Sequence, residues 1–113
     1  MRSFYINEAA KMAEKSIMRC SCHGAIIISR GKIVGRGFNQ YREIVNKKTV
    51  LSIHAEVSAI QNALRIISLD QLRKSIMVIV RVNKTGNIVC SYPCENCRKF
   101  IHEKKLKSVY YSN

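Results

Sequence analysis

Short apolar, β-branched runs alternate along this chain with segments whose apolar residues recur at helical spacing. The predicted elements, in chain order, are a helix over about 4–18, strands at 25–29 and 33–38, a helix over 54–67, strands at 76–82 and 88–90, a helix over about 94–104 and a strand at 107–112. Residues 40–53 are polar and basic and are predicted to form a loop. This order is typical of an α/β sandwich, in which helices cover a mixed sheet.

The chain is long enough for one domain and too short for two. Its 113 residues, of which 47% are hydrophobic and 24% charged, have the composition of a globular protein. We therefore expect a single domain over residues 1–113. No stretch approaches the roughly 20 apolar residues of a membrane helix, and the N-terminus has no apolar signal-peptide core. The expected location is the cytoplasm, with no membrane partner.

The charge balance is strongly positive. Twenty Lys and Arg residues against seven Asp and Glu residues give a net charge of +13, and the basic residues do not form a tail. Such an excess attracts phosphate groups, on a small substrate or on nucleic acid. The net charge alone does not show whether the partner is a small phosphorylated substrate or nucleic acid.

Two segments carry the residues of a metal site, namely His54-Ala55-Glu56 and Pro93-Cys94-Glu95-Asn96-Cys97. The second segment places two thiols one turn apart at the predicted start of a helix, where the helix dipole favours thiolates. His54 offers a nitrogen ligand from another helix start. Three protein ligands with a fourth position left to water are typical of a catalytic zinc site, whereas a closed structural site has four.

Glu56 is predicted to transfer a proton and not to bind the metal. Residues at i and i+2 point to different sides of a helix, so Glu56 does not share a face with His54. Two thiolates weaken zinc as a Lewis acid, and a nearby carboxylate helps to ionise the water and returns the proton to a leaving group.

Other cysteines leave alternatives open. Cys20 or Cys22 could supply a fourth ligand, which would make the zinc structural, and a core without metal is the other alternative. Cys20, Cys22 and His23 also resemble a short metal-binding tract, but thiols in such a position are more often core or surface residues. Cys90 is interpreted as a strand residue.

The pair H-x-E and P-C-x-x-C is the signature of zinc nucleobase deaminases. The chain resembles the cytidine/deoxycytidylate deaminase superfamily, from Gly24-Ala25 through Tyr111-Ser112. The resemblance implies a three-layer α-β-α sandwich with a mixed central sheet and a minimal C-terminus. It also implies hydrolytic removal of an exocyclic amine from a cytosine nucleoside or nucleotide, with release of ammonia.

The resemblance further implies a role for each site residue. His54, Cys94 and Cys97 would bind one zinc ion, and Glu56 would carry the proton. Asn39 matches the family asparagine that holds the substrate sugar, although it could instead cap a turn. The backbone amide of Ala55 would contact the base.

Departures from the family pattern keep other functions open. Tyr92 precedes Pro93 where Glu, Thr or Ser is frequent, and the family's last strand and helix are expected to be missing. The alternatives are a deaminase of cytosine or adenine within RNA or DNA, and a zinc-containing binding module that has lost catalysis. A sheet without its last elements leaves an edge to cover, so a homo-oligomer is expected.

Overall fold

The computed structural model describes residues 3–16, 22–44, 49–91, 95–104 and 106–112. The elements are α1 (Ser3–Glu14), β1 (Cys22–Ser29), β2 (Lys32–Phe38), β3 (Gln40–Ile44), β4 (Thr49–Ile53), α2 (Ala55–Ala63), α3 (Leu69–Arg73), β5 (Ile76–Val82), β6 (Ile88–Val89), α4 (Glu95–Lys104) and β7 (Ser108–Tyr111). Among these helices, none is long and apolar enough to span a bilayer.

The central sheet is mixed, as the sequence predicts. Its strand order is β2-β1-β5-β6, and β7 also pairs with β5. β1 runs antiparallel to β2 and β5, whereas β7 runs parallel to β5. β7 lies beside the first half of β5, and β6 lies beside Arg81 and Val82 at its end. β6 and β7 therefore follow one another along the same edge of β5.

A tight turn connects β1 to β2. Arg30 and Gly31 both have positive φ angles, 53° and 77°, and the flanking residues Ser29 and Lys32 pair with each other. Positive φ at both central residues matches the twist of a two-residue hairpin. This turn explains the Gly-containing connection that the sequence predicts.

Helices cover both faces of the sheet, which confirms the three-layer sandwich. One face packs against α1 through Ile26, Ile28, Val78, Val80 and Val82. The other face packs against α2, α3 and α4 through Ala25, Ile27, Met77 and Ile79. Alternate residues of β1 and β5 thus belong to different layers, as the two-residue period of a strand requires.

Glycines allow α2 to approach β2 closely. A Cβ atom on Gly37 would lie 2.6 Å from the carbonyl oxygen of Ala55, and one on Gly35 would lie 2.5 Å from that of Ala59. Real Cβ atoms do not come so near to backbone, so both positions need glycine. This close packing fixes the first turn of α2 over the end of β2.

The loop predicted over residues 40–53 is wrong for residues 40–44 and 49–53, which form the antiparallel pair of β3 and β4. The segment contains the β-forming residues Val50, Leu51 and Ile53. Its polar and basic residues, which are typical of a loop, led to the wrong prediction. A second difference is α3, a helix of five residues that begins with a capping box. The Oγ atom of Ser68 accepts from Gln71 N at 3.2 Å, and Gln71 Oε1 accepts from Ser68 N at 3.1 Å.

Candidate functional site

The start of α2 and the end of β2 meet at one edge of the sheet. His54 is the N-cap residue of α2, with extended backbone and an exposed side chain that does not cap the helix. Its carbonyl oxygen accepts a hydrogen bond from Ser58 N at 3.1 Å and begins the helical pattern. Because the first backbone N–H groups of a helix have no intrahelical partner, the amide of buried Ala55 is available at this edge.

Glu56 is a buried carboxylate in the first turn of α2. Only 4% of the residue is exposed, and the described part of the chain provides no hydrogen-bond or ion-pair partner for its carboxylate. Burial of a polar group without a hydrogen-bond partner costs about 2–7 kcal/mol of folding free energy, and burial of a charge costs more. Such a position is unfavourable for stability alone and is typical of a group that contacts a bound molecule.

Asn39 extends the pairing of β2 with β1 and does not cap a turn. Its backbone N donates to the carbonyl oxygen of His23 at 3.2 Å, and its Oδ1 atom accepts from the backbone N of His23 at 2.9 Å. The residue is 6% exposed. Because His23 fixes Oδ1, the amino group of the side chain is directed away from His23.

The two motif helices lie on the same face of the sheet. Cys97 is in the first turn of α4, and α4 contacts α2. The side chain of Cys97 and the whole of Cys94 are outside the described residues. Within the ranges that the structure describes, no three His, Cys, Asp or Glu residues form a metal-binding group. The set of His54, Cys94 and Cys97 therefore stays a prediction.

A family model matches the chain from residue 1 to residue 113, and its description is the cytidine and deoxycytidylate deaminase zinc-binding region. The chain belongs to this family. The resemblance inferred from the two motifs is thereby confirmed, and the match covers the fold and both motifs.

Solved structures of deaminases share the fold. The dCMP deaminase of cyanophage S-TIM5 in apo form is 22% identical, with a TM-score of 0.69, over 98% of this chain and 84% of that one. Guanine deaminase from Bacillus subtilis is 23% identical, with a TM-score of 0.63, over 98% and 64%. A mutant cytidine deaminase from Mycobacterium tuberculosis is 18% identical, with a TM-score of 0.62, over 93% and 79%. No curated protein matches the chain.

Two features of this deaminase domain were not predicted from the sequence. Ser91, the last described residue before the P-C-x-x-C segment, is buried and bonded to Ser112 at the end of β7. His23 and Arg81 are directly opposite each other on β1 and β5. Both pairs depend on strand register between distant parts of the chain, which local patterns do not contain.

The remaining cysteines differ in their surroundings. Cys22 begins β1 opposite Val82, a position on the α1 face, and its Sγ atom lies 3.8 Å from the carbonyl oxygen of Ser16. Cys90 follows β6 and is exposed. Since α2 and α4 cover the other face, the α1 face is an unfavourable place for a fourth zinc ligand at Cys22. Cys20 lies outside the described residues.

Proposed function

We propose that the chain is a zinc-dependent hydrolytic deaminase of a cytosine nucleoside or nucleotide. The observation that carries the proposal is the buried carboxylate of Glu56, two residues after His54 and at the sheet edge where Asn39 is fixed. Family membership and the fold of the neighbouring structures support it.

The donor set suits zinc. His54 precedes α2, and Cys97 lies in the first turn of α4, a helix that contacts α2 on the same face. In the sequence, Cys94 is three residues before Cys97. One imidazole and two thiols are ligands that zinc prefers, and three protein ligands leave a position for catalysis. When bound, zinc supplies a Lewis acid that lowers the pKa of water.

The reaction would break the bond from C4 of cytosine to its exocyclic nitrogen and form a bond from C4 to the oxygen of water. Glu56 would accept the proton that water loses and deliver it to the departing amine, which leaves as ammonia. Asn39 would hold the sugar through its side-chain amino group, and the backbone amide of Ala55 would hold the base.

The test is ammonia release by the zinc-loaded protein with cytidine, CMP, deoxycytidine, dCMP, dCTP and adenosine. Glu56→Gln is expected to lower kcat by about 10²–10⁴-fold, the usual contribution of general acid–base catalysis, with zinc still bound. The matched control is Glu103→Gln, the same change at an exposed position of α4. Turnover of none of these compounds, or an unchanged rate in Glu56→Gln, would contradict the proposal.

The net charge of +13 favours a second candidate, a deaminase of a base within RNA or DNA. Contacts to phosphates release counterions, so affinity for a single-stranded oligonucleotide would fall steeply with salt. A flat salt response would exclude this candidate. A zinc-containing binding module without catalysis is the third candidate, and the presence of Glu56 argues against it.

We also propose that the domain assembles with copies of itself. Within the described residues β7 borders β5 alone, and its Tyr110 and Tyr111 are 46% and 39% exposed. An edge strand with exposed aromatic residues is a typical site of association. Light scattering at micromolar concentration should give at least a dimer, and a monomer would contradict this proposal.

A further inference from the structure

A transverse row of polar side chains crosses the sheet at the edge of the site. Gly37, Ala25 and Ile79 are paired across β2, β1 and β5, and the first turn of α2 lies over Gly37. Two residues further along, about 7 Å at the rise of a strand, the corresponding positions are Asn39, His23 and Arg81. We call these three residues the polar row.

The polar row belongs to the face that α2 covers. Ala25 and Ile27 of β1, and Met77 and Ile79 of β5, belong to the core cluster on the face of α2, α3 and α4, so alternation places His23 and Arg81 on that same face. His23 is bonded to Asn39 on one side and is the register partner of Arg81 on the other. α2 begins at Ala55, which lies over Gly37. The polar row is two residues beyond Gly37 and therefore continues the floor of the site past the start of the helix.

His23 and Arg81 place two basic side chains next to each other on this floor. The Cβ atoms of directly opposite residues in an antiparallel pair lie about 5 Å apart, so one anion can lie within reach of both side chains. Both residues are half-buried, and the Nε atom of Arg81 is buried. An arginine carries five donors in a fixed fork that matches phosphate oxygens.

We propose that Arg81, with His23, recognises the phosphate of a nucleoside monophosphate and so determines specificity for nucleotide over nucleoside. This inference rests on the proposed function, because it takes Glu56 as the end of the site that receives the base and Asn39 as the sugar contact. The Cα atoms of Asn39 and Arg81 are separated by two strand spacings, about 10 Å. A phosphorylated sugar and the long arginine side chain bridge that gap together.

A single terminal phosphate fits this place better than a polymer does. The polar row lies on the floor of the site, with its side chains half-buried or buried, and not on an exposed helix face. A terminal phosphate also offers three oxygens and more charge than a phosphodiester, so it gains more from a half-buried guanidinium.

The experiment compares dCMP with deoxycytidine. The measured quantity is the ratio of kcat/KM for dCMP to kcat/KM for deoxycytidine, in Arg81→Gln, Arg81→Lys and the unsubstituted chain. Arg81→Gln should lower the ratio by roughly tenfold to a hundredfold, the loss of charged hydrogen bonds, mainly through KM. Arg81→Lys should restore part of it. The control Arg36→Gln removes the same charge from an exposed position of β2 and should keep the original ratio.

Other outcomes separate this inference from the proposed function. Equal loss for both compounds in Arg81→Gln, or an unchanged ratio, overturns the inference and leaves the function standing. Selective loss with a single-stranded oligonucleotide, and not with dCMP, also overturns it. If neither compound is deaminated, calorimetric binding of dCMP decides the inference: weaker binding in Arg81→Gln but not in Arg36→Gln supports it, and equal binding overturns it. The proposed function fails only if cytidine, CMP and dCTP are not deaminated either.

Discussion

The hydroxyl oxygens of Ser91 and Ser112 lie 2.9 Å apart at the place where β6 and β7 follow one another along β5. Ser91 Oγ donates to the carbonyl oxygen of Ile79 at 2.9 Å and accepts from Ser112 N at 2.8 Å. Ser112 Oγ donates to the carbonyl oxygen of Val89 and accepts from Arg81 N at 3.3 Å. Two hydroxyls thus join three strands just before the segment that carries Cys94.

This serine pair should affect both stability and zinc content. Ser91→Ala leaves buried backbone groups with fewer partners, so we expect a loss of about 1–3 kcal/mol in the free energy of unfolding. The effects of Ser91→Ala and Ser112→Ala should not add in the double variant, because the two hydroxyls share partners. Urea unfolding measures the loss of stability. Metal analysis of the purified variants measures the zinc content, which should be lower than in the unsubstituted chain.

The control for the serine pair is Ser75→Ala. Ser75 is also fully buried, and its Oγ atom donates to the carbonyl oxygen of Gln71 at 2.8 Å, but it precedes β5 at the opposite end of that strand. Ser75→Ala should destabilise the fold to a similar degree and keep its zinc. Equal zinc content in both variants would show that the Ser91 pair has no influence on the metal segment.

Asn39 should affect both stability and substrate binding. Asn39→Ala removes the acceptor for the backbone N of His23, so we expect about 1–3 kcal/mol of destabilisation. Asn39→Asp keeps an acceptor for His23 N but removes the amino group that would hold the sugar. It also buries a carboxylate, so it should lose stability in urea. At a temperature where the variant is still folded, it should show a raised KM for the preferred substrate. A normal KM in Asn39→Asp would exclude the sugar contact.

Local patterns predicted those parts of the fold that local forces determine. The apolar runs predict β1 and β5, and the helical periods predict α1 and α2, because burial imposes a pattern on each. The hairpin β3–β4 was missed because its polar composition resembles that of a loop. The short helix α3 was missed because only its capping box, and no apolar period, indicates it.

The candidate site was predictable only in part for the same reason. The H-x-E motif indicates Glu56 and the family resemblance indicates Asn39, and the structure places both, buried, at the same sheet edge. Nothing local indicates that His23 lies opposite Arg81, because that relationship depends on the register of two strands far apart in the chain. The pairing of β1 with β5 therefore places His23 and Arg81 at the candidate site, which the motifs do not indicate.

Gly37→Ala should reduce activity more than its effect on stability explains. The new Cβ would press against the carbonyl oxygen of Ala55 and move the first turn of α2, which carries Glu56. Overpacking of this kind costs typically about 1–3 kcal/mol. The control is Gly24→Ala, where the new Cβ would press against the backbone of α1 on the other face of the sheet. Activity measured well below the melting temperature should fall further in Gly37→Ala, and equal activities would contradict the expected shift of α2.

Removal of zinc should lower thermal stability, because a ligand that binds only the folded state stabilises it by mass action. The effect is about 4 kcal/mol when free zinc is a thousand times its Kd. We expect a lower Tm with a chelator, measured by circular dichroism, and full recovery when zinc is added.

Cys94→Ser and Cys97→Ser should bind less than one zinc per chain and should lose this response. Cys90→Ser is the matched control, because Cys90 is exposed after β6, and it should retain both. Loss of zinc in Cys22→Ser would indicate the closed four-ligand site, and zinc binding unaffected by Cys97→Ser would contradict the ligand set.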